Sequence, residues 1–325
     1  MASLFSSGFF VRQPAWHRQG NVLEDAPTTE VAYEASGLNW QVNKQPLFFK
    51  NGDPQVDMAT DMFGLVRNTD NRVLGYCKEQ YEIFQNIDAL NWCDPLVSSE
   101  LWHYETAGAL KNGEVCWVLL KQGERELVRS DILKEYLLLL WSHDGSRAVQ
   151  TMPTTIRVVC NNTLQMALDS ATFRNRIRHT ISMKPKLEEI RSIYSETREA
   201  FNKQDEMFNR MLDFTMSEGQ VVEYVDSIMT GAYNRGNIDE MEEGRSKTIA
   251  KNVRETLLSA AYNGTGAQEL GINGTMYGVF NGIEEAIEHY IGGNRVKDRG
   301  MNILFGSGHD AVNVAYTNAV RMMAA

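Results

Sequence analysis

Positive side chains concentrate in residues 147–186 of a chain that is acidic elsewhere. This basic segment holds seven lysines and arginines and one acidic residue, Asp169, so its net charge is +6. The rest of the chain carries −16, because the whole protein carries −10 at pH 7. Guanidinium and ammonium groups bind phosphate, and a cationic region attracts a polyanion. The basic segment therefore predicts a site for a nucleic-acid backbone. The predicted contacts are Arg147, Arg157, Arg174, Arg176, Arg178, Lys184 and Lys186.

The spacing of three of these arginines predicts how they are presented. Arg174, Arg176 and Arg178 lie two residues apart, so an extended backbone would project all three to one side. Two interpretations stay open. The segment either lines a groove for phosphates, or it is a solvated surface that pairs with carboxylates of the rest of the chain. Three aromatic residues are candidates for stacking on unpaired bases, although strand aromatics are mostly core residues: Tyr136, Trp141 and Phe173.

A pair of asparagines offers a second way to hold phosphate. An alternating apolar pattern predicts a strand that ends near Cys160, and Asn161, Asn162 and Thr163 then begin a short predicted helix. An ordinary N-cap explains this pattern, while the free amides and dipole of a helix start also favour an anion. The two roles are compatible, so Asn161 and Asn162 join the predicted nucleic-acid contacts.

No combination of residues predicts catalysis. His143-Asp144-Gly145 and Gly308-His309-Asp310 each supply half of a metal site, but neither has a further ligand at the usual spacing. A turn and a helix cap explain them. Gly306-x-Gly308 lacks the Lys-Ser/Thr of a phosphate-binding loop, and the lone Trp16-His17 pair is typical of core packing. We therefore predict a protein that is not an enzyme, with no catalytic residue, metal or cofactor.

Length and composition indicate a globular, cytoplasmic protein. A chain of 325 residues with 43% hydrophobic residues can bury a large core. The longest apolar run, 136–141, is far too short to span a bilayer, and the N-terminus does not resemble a signal peptide. The four cysteines contain no C-x-x-C pair, which argues against a zinc site and a disulfide framework: Cys77, Cys93, Cys116 and Cys160.

Local signals in the first half predict antiparallel sheet with short helices. Thr28 and Thr29 cap a short helix that ends at Gly37. Asn112-Gly113, between two strand-like runs, predicts a hairpin. A helix is predicted within residues 81–92, and a helical connector around 130–134. The apolar side of the first of these helices is predicted to carry Ile83, Ile87, Leu90 and Asn91.

The second half is predicted to be helical. Apolar residues from Leu187 to Thr215 recur in steps of three, four and seven, which predicts one helix of about thirty residues. Ser217-Glu218-Gly219-Gln220 matches a capping box for the next helix. Later helices are predicted to begin at Ser246, near Thr275 and at Asp310.

These elements predict an α+β fold in two regions. Residues 1–184 form an α+β domain with a mostly antiparallel sheet, whose strand meander leads into a helix. Residues 185–325 form a mainly helical region that packs on this domain or on neighbouring subunits.

Four ordered motifs resemble a known family. They are the head PAWHRQG with SGLNWQV downstream, then VVCNNTL, NGTMYGVFN and ILFGSG. Together they resemble a phage- and plasmid-borne family described as a phage/plasmid-like protein of unknown function, over nearly the whole chain. Arg18-Gln19 stand where that family has Gly-Leu after Trp-His. The resemblance implies a mobile-element origin and no particular activity.

The order of elements is also similar to that of the phage single-strand annealing proteins of the Redβ/RecT and Rad-fifty-two group. Those proteins are rings or filaments that hold unwound DNA in a basic groove, so the resemblance implies a homo-oligomer that needs no nucleotide or metal. We therefore predict a protein that binds and anneals single-stranded DNA in phage-type homologous recombination. The alternative is a phage-encoded interaction protein whose acidic surface inhibits a host factor or mimics DNA.

Overall fold

The computed structural model describes most of the chain. The described residues are 5–12, 20–50, 56–128, 131–157, 163–165, 175–194, 198–235, 238–269, 271–292, 302 and 306–324. They form a mixed α+β fold, with sheet and short helices in the N-terminal half and helices dominating the C-terminal half. This confirms the predicted fold class.

The larger of two sheets is the centre of the N-terminal half. Within the described residues its strands lie in the order β10-β9-β8-β7-β6-β1-β2, and β11 also pairs with β9. Neighbouring strands are antiparallel except β1 and β2. Its strands are β1 Phe5–Val11, β2 Asn21–Leu23, β6 His103–Leu110, β7 Val115–Val128, β8 Asp131–Ser142, β9 Val149–Arg157, β10 Thr163–Gln165 and β11 Asn175–Ile177. The smaller sheet contains β3 Val42–Lys50, β4 Val56–Arg67 and β5 Val73–Lys78 in sequence order.

The hairpin predicted at Asn112-Gly113 is confirmed. A short 3-10 turn, Lys111–Gly113, joins β6 to β7, and Leu110 pairs with Val115. Asn112 and Gly113 have φ of 58° and 98°, which asparagine and glycine adopt at low cost. Arg67 donates to the Asn112 carbonyl at 2.9 Å, so this turn also attaches the smaller sheet.

The predicted helical connector around 130–134 is wrong. β7 and β8 form one long hairpin whose pairing runs from Val115 opposite Ser142 to Val128 opposite Asp131. Lysine, glutamate and leucine favour a helix when only local propensity counts. Here Leu133 pairs with Arg125 and Arg157 in the sheet and is fully buried in the helical core, and these long-range contacts outweigh that propensity.

Two short helices pack on one face of the large sheet. They are α1 Thr29–Ala35 and α2 Asn86–Ser98. Thr28 caps α1 as predicted, and Gln85 forms a capping box that starts α2 later than expected. Leu90 is buried as predicted, but Asn91 is exposed, because the register set by this cap turns it to solvent.

The C-terminal half is a cluster of helices around a second core. The helices are α3 Met183–Tyr194, α4 Arg198–Asp213, α5 Glu218–Tyr233, α6 Arg245–Asn263, α7 Met276–Glu285 and α8 Ser307–Ala324, with a π-helical turn, Ala286–Tyr290, directly after α7. The capping box at Ser217 and the N-cap at Thr275 are confirmed. α8 begins at Ser307, so Asp310 lies in its first turn instead of capping it. No helix in the described ranges is both long and apolar enough to cross a membrane.

The apolar stripe predicted for one long helix divides between two cores. Leu187 and Ile190 of α3 pack with the sheet, α1 and α2. Phe208 and Met211 of α4 pack with α5 to α8. The predicted regional boundary after residue 184 falls within α3, and the division into residues 1–184 and 185–325 stays a prediction.

Candidate nucleic-acid interface

Part of the basic segment lies at one edge of the large sheet. β9 pairs with β8 on one side, and on its other side β10 contacts residues 154–156 while β11 contacts residues 149–151. β11 places Arg176 opposite Gln150 and Ile177 opposite Val149. Ile177 is buried, whereas Arg176 and Arg178 on either side are exposed. The predicted one-sided presentation therefore holds for these two arginines.

A buried histidine connects β11 to the start of β9. The Nε2 atom of His179 lies 3.1 Å from the Arg147 carbonyl oxygen, and its Nδ1 atom lies 3.0 Å from the Glu82 carbonyl oxygen. Its ring stacks on Tyr81 with centroids 4.6 Å apart. Burial lowers the pKa of His179, although the two carbonyls act in the opposite direction. These contacts hold the backbone of Arg147 beside the segment that carries Arg178.

Helix α3 adds two lysines directly after this link. Met183, Leu187 and Ile190 bury one side of α3 against the first core, and Trp92 donates its indole N–H to the Leu187 carbonyl at 2.7 Å. Lys184 and Lys186 lie in the first turn and are exposed.

The charges around α3 favour an anion at its N-terminus. Its first turn contains no acidic residue, and a helix N-terminus carries partial positive charge. Lys184 lies 3.4 Å from Asp88, but with 69% of its side chain exposed this ion pair is weak. Glu188 pairs with Arg191 within the helix, one turn further on.

An exposed apolar side chain lies between these cations along the chain. Ile181, in the link between β11 and α3, is 89% exposed. We call the surface around it the basic cluster. Its members are Arg147, Arg176, Arg178, Lys184 and Lys186.

The remaining predicted contacts are not part of this cluster. Arg157 pairs with Leu133 at the far end of β9, about 26 Å from Val149 at the usual rise per strand residue. Asn161, Asn162 and Arg174 lie outside the described residues. Thr163 begins strand β10 and not a helix. The predicted helix start at the asparagines is therefore wrong, because the chain returns along the edge of β9 at Thr163.

The aromatic residues considered for stacking are core residues where the structure describes them. Tyr136 is 3% exposed and Trp141 is fully buried; Phe173 lies outside the described residues. Trp141 donates its indole N–H to Asn86 Oδ1 at 3.1 Å. Neither residue is accessible to a base.

The two histidine motifs have structural surroundings. His143 is 1% exposed in the first core, in the predicted turn, and its Nε2 atom lies 2.9 Å from Asn86 Oδ1. His309 is buried in the first turn of α8, 2.8 Å from the Asn313 side-chain amide. In the part of the chain that the structure describes, no group of three His, Cys, Asp or Glu residues is placed to hold a metal ion. Trp16 and His17 lie outside it.

The role of His179 was not predicted from the sequence. Its two carbonyl partners come from residues 97 and 32 positions away, and neither leaves a local pattern around it. The one sequence feature that could have indicated this role is the position of His179 between exposed cations, where a buried neutral ring is unexpected.

Comparison with known proteins identifies the family of this chain. Residues 73–304 match the family model described as a domain of unknown function, DUF932. The chain belongs to the DUF932 family. The matched region begins with β5 and includes β6 to β11, the basic cluster and helices α2 to α7. No curated protein and no solved structure matches the chain significantly.

Membership of an uncharacterised family agrees with the first resemblance. VVCNNTL and NGTMYGVFN lie wholly within the matched region, whereas PAWHRQG and SGLNWQV precede it. The family description assigns no activity, so the similarity to annealing proteins stays a prediction.

Proposed function

We propose that this DUF932 protein binds single-stranded DNA through the basic cluster and anneals it as part of phage-type recombination. The observation that carries the proposal is the link between β11 and α3. Arg176 and Arg178 before this link and Lys184 and Lys186 after it are all exposed, and His179 bonds to the backbone carbonyl of Arg147. An exposed cationic surface in a protein of net charge −10 is a site where a polyanion can lie.

Two features favour an unpaired strand over a duplex. The cluster lies along a sheet edge and the first turn of one helix, and contacts of this kind follow a single backbone. Ile181, between Arg178 and Lys184 along the chain, is 89% exposed. An apolar side chain in this position contacts the face of an unstacked base, which a duplex does not offer.

Binding is expected to depend steeply on salt. Each phosphate neutralised on a single strand contributes about 0.7 to the slope of log affinity against log salt. The four exposed cations, Arg176, Arg178, Lys184 and Lys186, give a slope of about −2.8 if each neutralises one phosphate.

The proposal is tested with Arg176→Glu/Arg178→Glu. Both side chains are exposed on either side of buried Ile177, so the double variant is expected to fold. Fluorescence anisotropy with an oligothymidine, at salt concentrations from about 50 to 200 mM, is expected to show binding weakened about tenfold or more. The negative slope of log affinity against log salt should become shallower by about 1.4, because contacts to two phosphates are lost.

The matched control makes the same charge change elsewhere. Arg245 begins α6 and Arg321 lies near the end of α8, and both are exposed. Arg245→Glu/Arg321→Glu is expected to bind oligothymidine with nearly the parent affinity. Equal weakening by the two double variants would show that only net charge matters and would remove the basic cluster as the site. A duplex of the same length, titrated in parallel, tests the preference for an unpaired strand.

The acidic surface favours the interaction protein as a second candidate. Asp239, Glu240, Glu242 and Glu243 are exposed in the turn before α6. Glu243 pairs with Lys247, which lies 2.8 Å away. Such a turn can occupy a basic surface of a host protein. Absence of oligonucleotide binding at low salt would favour this candidate.

The proposed annealing activity includes assembly into a ring or filament of identical subunits, encoded on a mobile element. An annealing protein must hold two strands at once, and a homo-oligomer supplies several copies of the basic cluster. Electron microscopy of the purified protein with and without oligothymidine shows whether such particles form.

A further inference from the structure

A polar cleft opens in the helical half, away from the basic cluster. Its volume is about 530 Å³, within the range of small-molecule sites. It lies between α6 and the π-helical turn after α7. The described residues that line it are Asn252, Glu255, Thr256, Ser259, Ala260, Asn263, Gly264, Thr265, Glu285 and Tyr290.

One wall of the cleft is a polar stripe on α6. Asn252, Thr256, Ser259 and Asn263 are separated by four, three and four residues, so they share one face of the helix. Amide and hydroxyl groups of this kind offer both donors and acceptors to a ligand.

The opposite wall depends on the π-helical turn. Tyr290 follows Glu285 by five residues, and on an α-helix these positions would point about 140° apart. The π-helical turn Ala286–Tyr290 brings them onto the same side, and the Tyr290 hydroxyl donates to Glu285 Oε1 at 2.8 Å. Such turns are rare and occur often at functional sites.

Glu285 is a buried carboxylate with capacity for a further donor. It is 5% exposed, and its other donors are the Gly266 N–H at 3.3 Å and the Thr265 hydroxyl at 3.4 Å. A carboxylate has about four acceptor positions, so three donors, two of them distant, do not fill it. A Cβ at position 264 would lie 3.0 Å from Glu285 Oε2. A side chain at position 264 would therefore crowd this oxygen, and glycine avoids that contact.

The charge of the cleft selects the class of ligand. Glu255 and Glu285 are both acidic, and no lysine or arginine is among the described lining residues. Phosphates and carboxylates are repelled from such a surface. We propose that the cleft binds a small organic cation, an amine or guanidinium compound, whose charged group meets Glu285 and whose polar atoms bond to the α6 stripe. This site uses none of the residues of the proposed DNA surface.

The test is isothermal titration calorimetry of the full chain with four probes at constant ionic strength. Agmatine carries a guanidinium and an amine, putrescine carries two amines, glucose is an uncharged polyol, and inorganic phosphate is an anion. Saturable binding of agmatine or putrescine, without binding of phosphate, is the expected result. Absence of saturable binding of both cations, or binding of glucose alone, would overturn the assignment.

Two variants and two matched controls locate the site. Tyr290→Phe removes one hydroxyl from a side chain that is 56% exposed, so folding is preserved, and it should weaken cation binding about threefold to tenfold. Glu285→Gln should weaken it more than tenfold. Tyr262→Phe and Glu242→Gln make the same changes outside the cleft, and each should bind as the parent does. Parent-like affinity in Tyr290→Phe and Glu285→Gln would refute the proposed site, whichever cation binds.

Discussion

Acid should destabilise the protein through one buried histidine, His143. It is 1% exposed, and burial lowers its pKa from 6.5 to about 3. Asn86 donates its side-chain amide to the carbonyls of Leu38 and Trp40, so its Oδ1 atom faces His143 Nε2 and accepts the proton of that nitrogen. The ring is therefore neutral in the folded protein, and a second proton would place a charge inside the first core.

The sign and size of the effect follow from linkage. A base with a depressed folded pKa contributes stability that is complete above the unfolded pKa of about 6.5 and is lost as the pH falls toward about 3. Between about pH 6 and pH 4 the unfolded chain binds about one more proton at this residue than the folded chain does. The free energy of unfolding should then fall by about 1.4 kcal/mol per pH unit because of His143.

The assay compares the parent with His143→Gln by urea unfolding, followed by tryptophan fluorescence at four pH values from about 7 to 4. Glutamine keeps an N–H donor for Asn86 but does not titrate. His179 and the carboxylates titrate in both proteins, so the difference between the two curves reports His143 together with its electrostatic coupling to His179. That difference should change by about 2–3 kcal/mol between pH 6 and pH 4. Parallel curves would show that His143 titrates normally and that the burial argument is wrong.

Two further predictions test the packing of each core. In Gly282→Ala the new methyl group would overlap the Ala260 carbonyl oxygen of α6, so urea unfolding should show a loss of about 1–3 kcal/mol. Gly219→Ala, where a Cβ meets nothing within 4 Å, should gain about 0.4–1 kcal/mol, and similar effects of the two changes would contradict the close approach of α6 and α7. Burial raises the pKa of the Cys93 and Cys116 thiols, so iodoacetamide followed by peptide mapping should leave both unmodified in the native protein and alkylate both in urea. Native alkylation of either thiol would show that the first core opens readily.

The parts of the fold that were predicted correctly depend on short-range chemistry. The Thr28 cap, the Asn112-Gly113 turn and the Ser217 capping box each involve groups within three residues of one another. Backbone preference and a side-chain hydrogen bond decide such features locally. A short sequence pattern is therefore enough to predict these caps and this turn.

The errors occur where distant residues decide the structure. Residues near 130–134 have helical propensity, but pairing between β7 and β8 makes them a hairpin. The stripe from Leu187 to Met211 has helical periodicity throughout, but the periodicity does not show that its two halves face different cores. Pairing and burial involve partners far along the chain, and these partners outweigh local preference.

The same distinction applies to the two candidate sites. Arg176 and Arg178 were recognised because charge and two-residue spacing are visible in the sequence, and the exposure of both residues agrees with that spacing. The sequence did not predict the pair of Glu285 and Tyr290. Residues five apart lie on different sides of an α-helix, and only the π-helical turn brings these two onto the same side.

The two candidate sites, which have opposite charge, lie on elements that pack in different cores. The basic cluster lies on β11 and α3, which pack with the sheet, whereas the cleft lies on α6 and the turn after α7, which pack with the helical core. Oppositely charged groups neutralise each other when they are close, and the attraction between exposed charges is largely screened beyond about 10 Å in moderate salt. Separate elements therefore carry the cationic surface and the acidic cleft. In the two proposals, a polyanion and a small cation meet different residues and do not compete for the same charges.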